Sequence, residues 1–399
     1  MPLPPALRRW WPLFKRWHRA LTRASGTVYR LLALVLSSGV PRRATERSAE
    51  TARQEPGPVT LHPAAPAVVV PRTPVGGAPA GHWVFADERS AAIPDTFVLE
   101  IADGRLVGDF GAAVTPAGTL DHETSRYFGV SDWREHPVFL RPTLGEVQHV
   151  PGTVLSLTTR GTASNYYHFL YDAIGRYAVL EAALPGERID AVVVPHASGY
   201  QRQLLELAGI PGPFLQPRRG LTYRADRLLV PSNPNWALQA PPAVVDWLRD
   251  RLPPVDPPSG RARLYLTRGN APQTRRYVQE TELMAALEPR GFQRLDPGTL
   301  TVQQQIDVFS TAEIIVAPHG AGLTNVTFSP RGVRVLELFP STYVHRGLWA
   351  ICQALGAEYR YLVADGPGGP EGPNAGIADD VSIPVERVVA EVDALLADL

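Results

Sequence analysis

The sequence predicts an α/β protein built on two doubly wound parallel sheets, and three observations carry that expectation. Short β-branched apolar runs such as Ala312–Val316 (AEIIV) recur along the chain, of the kind expected in strands covered on both faces. They alternate with segments of helical length, and repeated β-α-β order implies parallel strands under covering helices. A proline-rich stretch, Pro253–Gly260, divides the series. Two Rossmann-like domains facing a cleft are therefore expected, with ligands at the carboxyl ends of the strands.

Taken in order, the first half predicts strands at Phe97–Ile101, Val154–Leu157, Ala191–Val194 and Arg227–Val230, with helices at Tyr166–Ala183, Tyr200–Leu207 and Pro242–Arg251. The second half predicts strand Arg263–Thr267, helix Glu280–Leu287, strand Phe292–Leu295, helix Val302–Ser310, strand Ala312–Val316, helix Leu323–Phe328 and strand Arg334–Leu338. Apolar positions at helical spacing in Val385–Leu396 read as a closing helix packed on the core. The expected division is 1–45 as a basic aromatic segment, 46–82 as a Pro/Ala-rich linker, 83–255 and 256–378 as the two Rossmann-like domains, and 379–399 as the closing helix.

Composition narrows the function. The 399 residues balance 39 Lys+Arg against 39 Asp+Glu, which argues against nucleic acid as a main partner, because neutralising many phosphates calls for a basic excess. The single cysteine, Cys352, excludes a disulfide framework and a cysteine zinc site, and a reducing, cytoplasmic compartment is the simpler expectation.

The charge is unevenly spread. Met1–Thr45 contains no Asp or Glu, while Arg8, Arg9, Lys15, Arg16, Arg19, Arg23 and Arg30 alternate with Trp10, Trp11, Phe14 and Trp17. Such a segment suits peripheral attachment to an anionic membrane at its inner face. It also reads as a disordered basic tail or an atypical targeting peptide. The apolar run Leu31–Leu36 is far shorter than the ~20 residues a bilayer span needs.

Chemistry concentrates in three places. Ala317–Phe328 (APHGAGLTNVTF) joins a strand to a glycine turn, where Gly320 and Gly322 allow positive φ and a following helix start attracts an anion. The same letters also suit a plain strand-to-helix turn. In Ser164–Asp172 (SNYYHFLYD), His168 and Asp172 fall one turn apart on a helix, with Asn165 one turn earlier. An imidazole steered by a carboxylate is a competent general base, and a structural His-Asp pair is the alternative. Arg268 follows a predicted strand directly, with Arg275, Arg276, Glu280 and Glu282 close behind. Arginine forks grip phosphate, whereas the glutamates equally suit a helix dipole. Glu337 interrupts the apolar run VLELF, so it needs partners: a ribose diol or a buried arginine.

The order NYYHFLYD, LYLTRGNAPQTRRYVQETEL, APHGAGLTNVTFSPRGVRVLELFP resembles glycosyltransferase family 61, over roughly Thr153–Leu362. That family includes bacterial capsular-polysaccharide enzymes and eukaryotic xylosyl- and N-acetylglucosaminyltransferases. The resemblance implies a GT-B architecture, a nucleotide-sugar donor as co-substrate, a glycan or lipid-linked acceptor, and inversion at the anomeric carbon. It implies site roles for Asn165, His168, Asp172, Arg268, Arg276, Glu280, Glu282, His319, Gly320, Gly322, Asn325 and Glu337. Gln279 departs from the family pattern, which commonly has Asn there.

The expected mechanism makes His168 the base oriented by Asp172, with Asp172 itself as the alternative base. Arg268, Arg276, His319 and the Gly320 and Gly322 amides would hold the diphosphate, and Glu337 the ribose. No Asp-X-Asp triplet occurs, so no metal is expected to be required. A non-catalytic nucleotide- or glycan-binding protein of the same fold is the competing reading. A metal-dependent hydrolase using His168, His196 and His319 is a weaker one, because those histidines are scattered.

Overall fold

The computed structural model describes residues 10–35, 39–86, 89–235, 237–256, 259–269, 275–368 and 376–397. Among the described residues thirteen strands precede residue 240: β1 (Arg43–Thr45), β2 (Val59–Ala65), β3 (Val68–Pro71), β4 (Gly76–Ala78), β5 (Ser90–Ile93), β6 (Thr96–Ala102), β7 (Arg105–Val107), β8 (Ala112–Val114), β9 (Thr119–Asp121), β10 (Glu146–Ser156), β11 (Ala191–Val193), β12 (Phe214–Leu215) and β13 (Leu221–Pro231). Five follow: β14 (Ala262–Leu266), β15 (Phe292–Leu295), β16 (Ala312–Pro318), β17 (Arg334–Phe339) and β18 (Glu358–Val363).

The chain forms two compact units. Of the described residues, one is built on those from 10 to 68 and from 94 to 235, the other on 69–93 and 237 onward. The division after residue 236 lies upstream of the expected hinge at Pro253–Gly260, of which residues 257 and 258 fall outside the described residues. Helix Pro242–Arg251 therefore joins the second unit. Arg249 Nη1 donates to the Thr327 and Ser329 carbonyls at 2.7 and 2.5 Å, and Val244, Val245 and Leu248 form its buried face.

The second unit carries a six-stranded sheet in the order β15-β14-β16-β17-β18-β4, with every neighbouring pair parallel. Its last five strands, counted along the chain, stand in the order second-first-third-fourth-fifth, so the winding reverses between β14 and β16. Such a switch point leaves a crevice at the carboxyl ends of the two strands. Strand identity follows from composition: Ile314, Ile315 and Val316 are all fully buried, as a strand covered on both faces requires. Helix Val302–Ser310 starts at a capping box in which the Thr301 hydroxyl accepts from Gln304 N and the Gln304 side chain returns to Thr301 N. Helix Val385–Ala397 buries Val388, Val392 and Leu395 on the core, as the three- and four-residue spacing predicts.

The first unit is mixed rather than fully parallel. β13, β10, β11 and β12 form a parallel core. β6 and β7 run antiparallel along the same edge of β13, and β8 and β9 continue as an antiparallel meander. The short turns from β7 to β8 and from β8 to β9 allow only antiparallel pairing, since a parallel connection needs a dozen residues or more.

The expected linker at 46–82 is folded. Within it β2 pairs with β6 and β4 with β18, and β1 just upstream pairs with β9. Hydroxyl chemistry holds this region where apolar residues are few: the Ser48 and Thr51 hydroxyls donate to the buried Asp121 carboxylate at 2.8 and 2.6 Å. Upstream, Trp11–Val35 is one helix, while the first nine residues, including Arg8 and Arg9, lie outside the described residues.

Candidate functional site

In the first unit, chemistry gathers beyond the carboxyl ends of the neighbouring parallel strands β10 and β13. Asn165 caps the helix that follows β10, accepting at Oδ1 from Tyr167 N at 2.9 Å and His168 N at 3.4 Å. The side-chain oxygen expected to meet substrate is thus committed to the helix start. The expected helix Tyr166–Ala183 begins with one α turn, passes through a π segment at Phe169–Ile174, and continues as α over Gly175–Ala183.

His168 and Asp172 meet as their spacing predicts, with Nδ1 and Oδ2 2.8 Å apart. Asp172 is buried, and its other oxygen accepts from Asn235 Nδ2 at 3.1 Å. An ionised carboxylate only accepts, so Nδ1 carries the imidazole proton and Nε2 is left with the lone pair. Among the described residues Nε2 has no hydrogen-bond partner, and the side chain is 18% exposed. The ring is held on its flanks by Phe128 at a centroid distance of 4.7 Å and by Tyr167 at 5.4 Å. A Cβ at Gly161 would stand 2.6 Å from His168 Cγ, so glycine is required for this approach. One turn beyond Asp172, Arg176 is buried and donates to the Thr158 and Thr124 carbonyls. Burial pulls it down to about 10, with the Asp172 charge acting against that shift, so Arg176 remains a cation at neutral pH.

Asn235 was not singled out by sequence reasoning. It lies in PSNPNW just past β13, its backbone N–H donates to Asn233 Oδ1 at 2.9 Å, and its amide shares a contact with the Tyr167 hydroxyl. The available signal was an Asx turn at a strand's carboxyl end, next to the strand that leads to His168. His196, considered as a metal ligand, instead bonds the Val194 carbonyl at 3.0 Å.

In the second unit, Arg268 leaves the end of β14 and His319 leaves the end of β16, on either side of the switch point. Gly320 has an extended φ of 176°, and Gly322 also lies outside the left-handed region. The positive φ expected at these glycines is absent. Gly320 instead provides clearance, because a Cβ there would overlap the Arg268 guanidinium. The expected helix after the turn is a 3-10 helix, Ala321–Phe328. Asn325 is buried within it, donating to Gln305 Oε1 at 2.6 Å and the Gly322 carbonyl at 3.1 Å, so it locks the turn.

Three arginines converge here. Arg275, which the sequence left in a loop, donates to the His319 carbonyl at 3.1 Å and lies over the Tyr343 ring at 5.1 Å. Arg276 donates to the Gly269 carbonyl at 3.1 Å. Burial and the charges of Arg275 and Arg276 draw Arg268 down to about 10. Cations that depress one another in a partly dry site favour an anion between them. The expected glutamates do not join this cluster. Glu280 accepts from Thr267 at 2.9 Å and Arg294 at 2.7 Å, closing the β14 corner, and exposed Glu282 accepts from Gln279 at 2.8 Å.

Glu337 has no exposed surface, and its partners within the chain are a histidine and a tyrosine. Oε1 lies 2.5 Å from His319 Nδ1, and Oε2 accepts from the Tyr359 hydroxyl at 2.6 Å. Both oxygens are engaged inside the fold. Burial pushes Glu337 up to about 8, against the pull of Tyr359, His345 and Arg275. Burial and the charges of Arg275 and Arg268 push His319 down. At neutral pH Glu337 therefore keeps its proton and donates it to Nδ1, and His319 presents Nε2–H as a donor.

Comparison with known proteins now bears on these two clusters. The family model described as Glycosyltransferase 61 matches residues 166–336, a stretch that contains His168, Asp172, Arg268, Arg276 and His319 and stops one residue before Glu337. No curated protein matches the chain. Over residues 166–336 the chain is thus similar to glycosyltransferase family 61, which supports the assignment that the ordered motifs suggest.

Proposed function

We propose that this glycosyltransferase moves a sugar from a nucleoside-diphosphate donor to a hydroxyl of a glycan or lipid-linked acceptor, with inversion, in cell-surface or capsular polysaccharide synthesis. On this reading the two units are the acceptor and donor domains of a GT-B type enzyme. The observation that carries it is the cationic cluster of Arg268, Arg275 and Arg276 with the His319 Nε2–H donor at the strand-order reversal of a parallel sheet.

The residues divide the work by charge. His168 Nε2 takes the acceptor hydroxyl proton, while Asp172 and Asn235 fix the ring and stabilise the imidazolium that forms. The acceptor oxygen bonds to the anomeric carbon as the carbon–oxygen bond to the diphosphate breaks, and the departing oxygen keeps the electron pair. Arg268, Arg276 and His319 neutralise that developing charge. With both Glu337 oxygens engaged internally, its part is to donate a hydrogen bond to Nδ1 and so hold His319 in the tautomer that carries the Nε2 proton. The chain's lack of an Asp-X-Asp triplet supports a metal-independent reaction.

Nucleoside diphosphates should raise the melting temperature of the full chain, and Arg268→Ala should abolish that shift. His168→Ala should keep the shift while lowering sugar transfer by about 10²–10⁴, the usual range for a general base. Transfer should persist in excess chelator. Loss of activity on chelation with rescue by manganese, or His168→Ala turning over like the parent, would overturn the corresponding part of the proposal.

A further inference from the structure

Helix Trp11–Val35 has its amphipathic faces in an unusual arrangement. Its polar side meets the protein: Arg23 Nε donates to Glu135 Oε1 at 2.9 Å, Arg23 Nη2 lies 3.2 Å from Asp132, and the Arg30 guanidinium covers the Trp133 ring at 4.9 Å. Thr22 and Gly26 are buried along this side, and a Cβ at Gly26 would stand only 3.2 Å from Phe139 Cβ. The apolar side faces outward. Trp10, Phe14, Trp17, Leu21, Val28 and Leu31 follow one another at multiples of the helical repeat and are each between 46% and 77% exposed.

We propose that this stripe lies in the interfacial layer of an anionic lipid bilayer, parallel to the surface. Among the described residues no helix is long and apolar enough to cross a membrane, so this one would lie on the surface rather than span it. Indole rings at one end suit the headgroup level, where an apolar body and a polar N–H are both accommodated. Charge selects the occupant. Arg19, Arg23 and Arg30 lie against Glu135, Asp132 and Trp133 of the chain itself, and the helix sequence adds Lys15 and Arg16 with no acid, so a second copy of it would add like charge, whereas anionic headgroups would neutralise these two cations. The site is independent of nucleotide binding.

Flotation of the full chain with phosphatidylglycerol-containing vesicles, against pure phosphatidylcholine vesicles, tests the proposal without any need for catalysis. The chain should float with the anionic vesicles only and be released by high salt. Trp17→Ser with Leu21→Ser should lower the bound fraction at least tenfold with unchanged melting temperature, because both side chains are exposed. Failure of the parent chain to float with anionic vesicles, or a double variant that floats like the parent, overturns the proposal. A concentration-dependent dimer that the double variant loses, without vesicle binding, also overturns it in favour of a second copy. Nucleotide-induced stabilisation is read separately, so either result stands without the other.

Discussion

A carboxyl group with no exposed surface, 2.5 Å from an imidazole, holds a proton at a pH where free glutamate would have lost it. The consequence extends from ligand binding to stability. Glu337 is raised from an ordinary 4.5 to about 8, so between those values the folded state binds the proton more tightly and stability falls as pH rises. His319 is lowered from 6.5, and acts the other way: below 6.5 the unfolded state binds its proton more tightly, and stability rises with pH. The two effects oppose each other under pH 6.5, and above it Glu337 acts alone up to about 8. Urea midpoints should therefore fall between pH 6.5 and 8 in the parent and fall less in Glu337→Gln, which cannot release a proton. Equal slopes in the two proteins would remove the buried proton from the account. Residue chemistry of this kind was half legible in the sequence. An acid inside VLELF had to be satisfied, but a one-dimensional pattern does not say that the satisfying groups are His319 and Tyr359, one from each flanking strand region.

Among the elements, the π segment Phe169–Ile174 does most to position the base. All six of its residues are buried, so both the α turn before it and the helix Gly175–Ala183 after it are held in register by packing. Removing Ala173 would turn the upstream residues by roughly 100° relative to the downstream helix. His168 would then leave the niche formed by Gly161 and Phe128, and transfer should fall at least a hundredfold while nucleoside diphosphates still bind the second unit. A deletion variant with parental turnover would show the π turn to be dispensable. Helical periodicity predicted a helix here and placed His168 over Asp172 correctly, but it has no signature for one added residue. Strands β16 and β17 were read correctly because residues buried on both faces leave a nearly continuous apolar run. β2 and β4 were missed for the converse reason. β2 ends in Pro63, Ala64 and Ala65 and β4 is Gly76–Gly77–Ala78, so their pairing partners, more than their own side chains, make them strands. Helix Pro242–Arg251 was found but given to the wrong unit, since amphipathicity marks which face is buried without naming the sheet beneath it.

At the scale of the whole molecule, the chain changes unit three times among the described residues, near 68, 93 and 236, so neither unit is a single stretch of sequence. The second unit's sheet ends in β4, contributed by residues far upstream, and the Tyr361 hydroxyl donates to the Pro79 carbonyl at 2.7 Å beside it. A fragment beginning at residue 237 would leave the edge of β18 unpaired, and an uncovered edge strand is a template for association. Such a fragment should aggregate, and supplying residues 69–93 as a peptide should restore a monomer by light scattering. A soluble monomeric fragment without the peptide would show the edge to be protected in another way. The same pairing sets a schedule during synthesis. β4 leaves the ribosome about 280 residues ahead of β18, and at ~5–20 residues per second that is a wait on the order of fifteen to sixty seconds. For that time Gly76–Ala78 has no sheet to join, and the second unit can complete its edge only when nearly the whole chain has been made.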